Sequence, residues 1–296
     1  MEFQMKQKIL KSFFITVFIL VFENFTFSSS VFFSPRIEIE NQKIKEYVFD
    51  GNHKLSQLDW NVENQINVGF ESDFYIDRLF VGFDFSLGLY NFDGFMEDRD
   101  WENYNKPNIT TKFSYHDLVV YEDLDFSFQF GFTFPLDNIN ILKKIFLEFN
   151  FKNSMFLGNN GWYDYSDLET PGTVITYNPT IFSLLLYLSG KYQLLNNLYL
   201  NLETGFGLSS FGICTDNHIL TNTKYVDKVN GSLALNQEIY FSFDISDNNT
   251  IIFGGKLENL PLLKGPTYIN GFSSNGIGGF SSFSYNFYLS YRIRML

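Results

Sequence analysis

Along much of the chain, apolar and polar residues alternate with a period of two, the spacing of a strand with one oily and one wet face. From Leu79, apolar side chains fall at Val81, Phe83, Phe85, Leu87 and Leu89, and Gly82, Asp84, Ser86 and Gly88 between them are small or polar. Near the end, Phe283, Tyr285, Phe287, Leu289, Tyr291 and Ile293 alternate with Ser284, Asn286, Ser290, Arg292 and Arg294. Leu198 to Leu208 behaves likewise, with Asn201, Glu203, Gly205 and Gly207 on its second face. Each run exceeds the ordinary strand of roughly 5–6 residues. Ten strands are predicted, over 36–49, 54–71, 76–92, 112–134, 143–157, 172–193, 197–214, 224–244, 249–259 and 281–295. Short turns fall at Ser72–Tyr75, Pro135–Asn140, Leu195–Asn197 and Ser246–Asn249, and longer loops at 93–111, 158–171, 215–223 and 260–280. An even strand count with short turns at one end and long loops at the other is the pattern of an antiparallel transmembrane β-barrel whose long loops face outward. A soluble sandwich or lipocalin-like barrel would share the alternation, with its apolar face turned inward. Strand length and the polar second face favour the membrane.

Composition supports a two-faced sheet. The 296 residues include 37 Phe and 18 Tyr, yet mean hydropathy is only −0.08. Ala is nearly absent, and Asn, Ser, Gly and Asp fill the places between the aromatics. Membrane barrels concentrate aromatics in girdles at both boundaries of the bilayer. The net charge of −12 argues against nucleic acid as a partner, because phosphate neutralisation needs clustered Lys and Arg. It suits cationic peptides or proteins. The single Cys214 rules out an intrachain disulfide, and no second Cys or His-rich spacing points to a metal centre.

The N-terminus has the form of a secretory signal peptide, predicted over 1–30, with the barrel over 31–296. Lys6, Lys8 and Lys11 precede the apolar run Phe13–Phe22, and Ser28, Ser29 and Ser30 form a small-residue cleavage region. A spanning helix needs about 20 apolar residues, and Glu23 ends this run well before that.

Two acidic constellations fall at the same end of the predicted barrel. Met96-Glu97-Asp98-Arg99-Asp100-Trp101 follows the third strand, and Asp216-Asn217-His218 follows the seventh. In extended chain, Asp98 and Asp100 share a face, as do Asp216 and His218. A carboxylate beside a histidine fixes its tautomer and raises its basicity, so His218 can take a proton from water. A carboxylate pair opposite can hold that water and share a proton near a developing oxyanion. Asp-x-Asp and Asp-x-His are each common in acidic surface loops, so spacing alone leaves both a catalytic and an ordinary reading open.

A family resemblance adds weight to the first. Lys54-Leu55-Ser56-Gln57-Leu58-Asp59-Trp60 resembles the omptin segment that opens the second strand. Gly94 through Trp101 is similar to the omptin loop carrying Met-x-Asp-x-Asp-Trp, and Asp216-Asn217-His218 to the omptin Asp-x-His pair. Gly276-Ile277 through Tyr291-Arg292-Ile293 is similar to the family's last strand. The resemblance implies a ten-stranded outer-membrane endopeptidase with its site on the extracellular side. It implies Asp98 and Asp100 as a carboxylate couple, His218 as base, Asp216 as its orienting acid and Met96 beside the substrate. Water is then the nucleophile, with no cofactor, and the partners are peptide and protein substrates, host proteins among them, and outer-membrane lipids.

Departures limit what carries over. The loop after Trp101 is shorter than in omptins and lacks their Trp-Thr-Asp…His-Pro stretch. Phe151, Asn153 and Thr180 stand where the family has lipid A-binding residues, so dependence on lipopolysaccharide is not expected. Cys214 occupies the position of one acid that selects basic side chains; the other falls near Lys43 or Ile44, with Glu46 as a substitute. Two functions stay open, an omptin-like endopeptidase and a non-proteolytic barrel serving as adhesin or surface structure. A diffusion porin is disfavoured because ten strands leave little room for a channel.

Overall fold

In the computed structural model, which describes residues 29–134, 142–164, 166–231 and 233–296, the alternating segments join in one antiparallel sheet. Its strands are β1 (Ser29–Asp50), β2 (His53–Ile76), β3 (Leu79–Asp100), β4 (Lys112–Thr133), β5 (Lys144–Tyr163), β6 (Ser166–Leu195), β7 (Leu198–His218), β8 (Thr223–Gly231), β9 (Leu235–Ser246), β10 (Asn249–Ile269) and β11 (Phe272–Arg294). β11 pairs back onto β1 from Phe32↔Arg294 to Phe49↔Ile277, which closes the ring. The expected strand over 224–244 is two pieces, β8 and β9, and both lie between β7 and β10. The ladder to β10 jumps from Asn230↔Lys264 to Leu235↔Asn259. Leu233 there has φ 81 and turns outward, and Ala234 is buried. Eleven segments thus occupy ten positions.

The strands are longer than the alternation indicated. β3 runs on through Asp100, β7 through His218 and β10 to Ile269, so the expected loops at 158–171, 215–223 and 260–280 are mostly sheet. Beyond the apolar band the outer face is wet, so no hydrophobic period marks a strand there, yet the backbone ladder continues. The loop at 101–111 stays irregular. The turn expected at Ser72–Tyr75 is strand, and the chain reverses at Asp77, whose φ is 53. The expected turn at Pro135–Asn140 and residues 1–28 of the predicted signal peptide lie outside the described residues, while Ser29 and Ser30 already pair with Ile76 and Tyr75.

The outward face carries the apolar set: Ile37, Ile39, Phe206, Phe253, Phe287 and Leu289 are all exposed. Outward Lys43, Asp117 and Lys228 end this band. A spanning strand needs about 9–11 residues, and these strands have 20 or more apart from the β8/β9 pieces, so the barrel rises well past the band. The lower interior is packed with ion pairs, including Lys144–Glu203 (3.4 Å), Lys152–Glu40 (3.4 Å), Lys256–Glu258 (2.6 Å) and Arg292–Asp73 (3.2 Å). Above them an apolar layer built on Ile44, Trp60, Met96, Phe156, Tyr177 and Leu263 crosses the lumen. The ring of Trp60 stacks on Tyr177 at 5.4 Å. The lower interior is therefore filled, and the apolar layer is the floor of an open mouth.

Candidate functional site

The mouth is built from strand ends, which hold side chains more firmly than loops would. Asp98 and Asp100 sit on β3, with Leu58 and Ser56 of β2 opposite them on one side and Ser114 and Lys112 of β4 on the other. Asp216 and His218 sit on β7, beside Tyr177 and Ile175 of β6 and Tyr225 and Thr223 of β8. The period-two spacing turns each pair inward. Met96, fully buried, lies one inward position below Asp98 on β3. The loop after Asp100 is pinned to the β1–β2 turn: Tyr104 donates to Asp50 at 2.6 Å, His53 Nε2 lies 2.8 Å from the Trp101 carbonyl, and Lys54 Nζ lies 3.7 Å over the Trp101 ring.

On β7, His218 Nε2 donates to Asp216 Oδ2 at 2.6 Å, and the other Asp216 oxygen is buried without a partner. Across the mouth, Ser56 donates to Asp98 Oδ1 at 3.2 Å. Asp98, Met96 and His218 line one cleft of about 290 Å³. Asp100 does not line this cleft, although its charge helps to raise His218.

Burial and carboxylate crowding set the protonation of this group. Burial, then the charge of Asp100, pushes the Asp98 carboxyl up to about 7, with His218 and Ser56 pulling the other way. Asp100 is raised as well, chiefly by burial. Burial lowers His218, but the bond to Asp216 and the charges of Asp216, Asp98 and Asp100 outweigh it, so the imidazole holds its proton above its ordinary range. Asp216 is raised by burial, which exceeds the opposing effect of His218.

Four participants were not singled out in the sequence. Ser56 was legible only as part of a family segment. Asp227 lies directly across the β7–β8 ladder from Cys214 and accepts from Thr267 at 2.7 Å. With the buried Glu46 it forms a second acidic patch, and burial followed by the charges of Asp216 and Asp227 raises Glu46. His116 and Ser114, on β4, share a hydrogen bond of 3.0 Å within the cleft. Burial, then the neighbouring His218, lowers His116 to about 4, so it is a neutral imidazole at pH 7. The Ser-x-His spacing was visible, but nothing in it distinguished a cleft from a wall. Among the described residues no group of three or more His, Cys, Asp or Glu side chains is arranged to hold a metal ion.

Phe151, Asn153 and Thr180 lie on neighbouring strands; Phe151 packs on Phe182 and Thr180 donates to Asn153. The nearby Lys152 pairs with Glu40.

Comparison with known proteins points to one family. The structure superposes on the outer membrane protease OmpT from Escherichia coli with a TM-score of 0.81 and 17% identity, over 92% of this chain and 99% of that one. A FadL homologue from Pseudomonas aeruginosa (TM-score 0.32, 9% identity, 90% of this chain and 91% of that) and the translocator domain of the autotransporter NalP from Neisseria meningitidis (0.31, 9%, 96% and 94%) show much weaker likeness. No curated protein matches the sequence by direct comparison. The model of the Omptin family matches residues 30–276, most of the chain including both acidic constellations, and on that match the chain belongs to the omptin family.

Proposed function

We propose that this barrel is an outer-membrane endopeptidase that hydrolyses peptide bonds with a water molecule activated between Asp98/Asp100 and Asp216/His218, on the extracellular side. The observation that carries the proposal is the 2.6 Å Asp216–His218 bond with His218 and Asp98 lining one cleft. In the productive state His218 is neutral and takes a proton from water as that water attacks the peptide carbonyl. Asp216 holds the ring and stabilises the imidazolium that forms. Asp98, titrating near neutrality beside Asp100, keeps a proton available for the developing oxyanion. The intermediate collapses when His218 returns its proton to the leaving amine, so no acyl-enzyme forms. The site stands at the end of the barrel opposite the start of β1 and the end of β11, and the proposal reads that end as the extracellular one.

The mouth carries Glu46, Asp98, Asp216 and Asp227 on inward positions and favours cationic substrates. On the flank beside Cys214, Asp227 offsets the acid missing at that position, and a basic side chain suits it. The test is cleavage of a broad peptide library by refolded protein, compared with Asp98→Ala. Cleavage by the wild type that is lost in the variant is expected. A folded wild-type protein that cuts no peptide would leave the adhesin or structural reading in its place.

A further inference from the structure

The reacting groups stand between two flanks of different chemistry. One holds Glu46 and Asp227. The other is the cleft on the β4–β6 side, and its walls carry no acid apart from Asp98 itself. Met96, Val174, Ile175 and the Tyr163 ring line it, with Leu220 at the rim. Val174 and Ile175 are each 4% exposed and belong to the apolar layer that crosses the lumen, so these walls are fixed by packing. The glycines of β5 open room for them: a Cβ at Gly158 would lie 2.5 Å from Ile175 and 3.3 Å from Met96. Within the cleft Ser114 bonds to His116 Nε2, His116 Nδ1 is buried without a partner, and no fixed charge stands beyond the Asp98 and His218 pair at the reacting end.

On the reading of the site as a peptide hydrolase, we infer that this cleft is a specificity pocket for a large apolar side chain, aromatic or leucine-like, on one side of the cut bond. Size supports it, since an apolar cavity of roughly 150 Å³ already binds benzene and this one offers about 290 Å³. Charge supports it too. A lysine or arginine entering here would shed water with Asp98 as its sole carboxylate partner, and that pairing would withdraw Asp98 from the reaction. A glutamate would meet Asp98 as a like charge. The two flanks together predict a cut between one basic and one large apolar residue.

The test uses matched fluorogenic peptides that differ at the single residue entering this cleft: Phe, Leu, Ala, Lys or Glu. Phe and Leu should exceed Ala in kcat/KM by roughly 100-fold, the scale at which an apolar pocket discriminates by size, with Lys and Glu poorest. Thr170→Trp at the wall should cut the Phe-to-Ala ratio at least about tenfold, and Leu220→Asp at the exposed rim should raise Lys relative to Phe. Equal rates across the set, or a preference for Lys, would overturn the inference while leaving hydrolysis intact. Binding of the same peptides to Asp216→Asn, read by fluorescence anisotropy, separates the two claims. Ranked binding of Phe over Ala and Lys without any wild-type cleavage would keep the pocket and sink the hydrolase; unranked binding would sink the pocket.

Discussion

Replacing Asp98 by Asn should make the barrel more stable and the site inactive, with a pH dependence that identifies the cause. Burial, then Asp100, lifts this carboxyl from 3.8 to about 7, a gap worth about 4 kcal/mol in the folded state at high pH. Relaxation around the site and the retained Ser56 contact reduce the expected gain to about 2 kcal/mol. For an acid whose folded pKa is raised, the fold takes up a proton that the unfolded chain has released. The destabilisation therefore begins near pH 4, grows as pH rises, and levels off above pH 7. Asn carries no charge at any pH. The stabilisation by Asp98→Asn should thus vanish near pH 3.5, reach about half its full size near pH 5.5 and be complete at pH 8. Urea unfolding in detergent micelles at these three pH values measures it, with peptide cleavage followed on the same samples. A gain that is equal at all three values, or absent, would show that Asp98 is an ordinary solvated carboxylate; undiminished cleavage would remove it from the machinery.

Four further outcomes are expected. His218→Ala should lower turnover by about 10²–10⁴-fold while unheated gels still show a folded barrel, and Asp216→Asn should act through the same step, so that the double variant loses little more. Because Asp216, Asp98 and Asp100 hold the His218 proton above its ordinary range, kcat/KM should rise with pH through a value above 6.5, and an acid limb below 6 would contradict that placement. Activity in detergent should change little on adding rough lipopolysaccharide, since Phe151, Asn153 and Thr180 replace the family's lipid A-binding positions and nearby Lys152 pairs with Glu40; strong saturable activation would refute this. Gly161→Ala should cost about 1–3 kcal/mol, because its Cβ would lie 2.7 Å from the His116 ring and 2.8 Å from the Tyr163 hydroxyl, and an unfolding midpoint unchanged from wild type would contradict it.

The period-two pattern, by itself, determined the membrane band of the barrel. There the outer face meets lipid and must be apolar, while the inner face meets ion pairs and must be polar, so each strand advertises itself residue by residue. The spacing of Asp98 with Asp100 and of Asp216 with His218 likewise determined that each pair shares a face, because extended backbone leaves no alternative. Above the band the outer face is wet, the alternation fades, and the upper ends of β5, β6, β10 and β11 read as loops although their ladders continue. Bulges hide a second part: at Asn64, with φ 51, β2 changes from even inward positions (Leu58, Trp60, Val62) to odd ones (Gln65, Asn67). Only closure of the ring could bring residues of β3 and β7 to one cleft, and only the pairing of neighbouring strands could set Asp227 opposite Cys214 and His116 beside Met96. Those neighbours are fixed by ladder register and by the apolar layer beneath the mouth, and register is a property of two paired strands that neither strand carries alone.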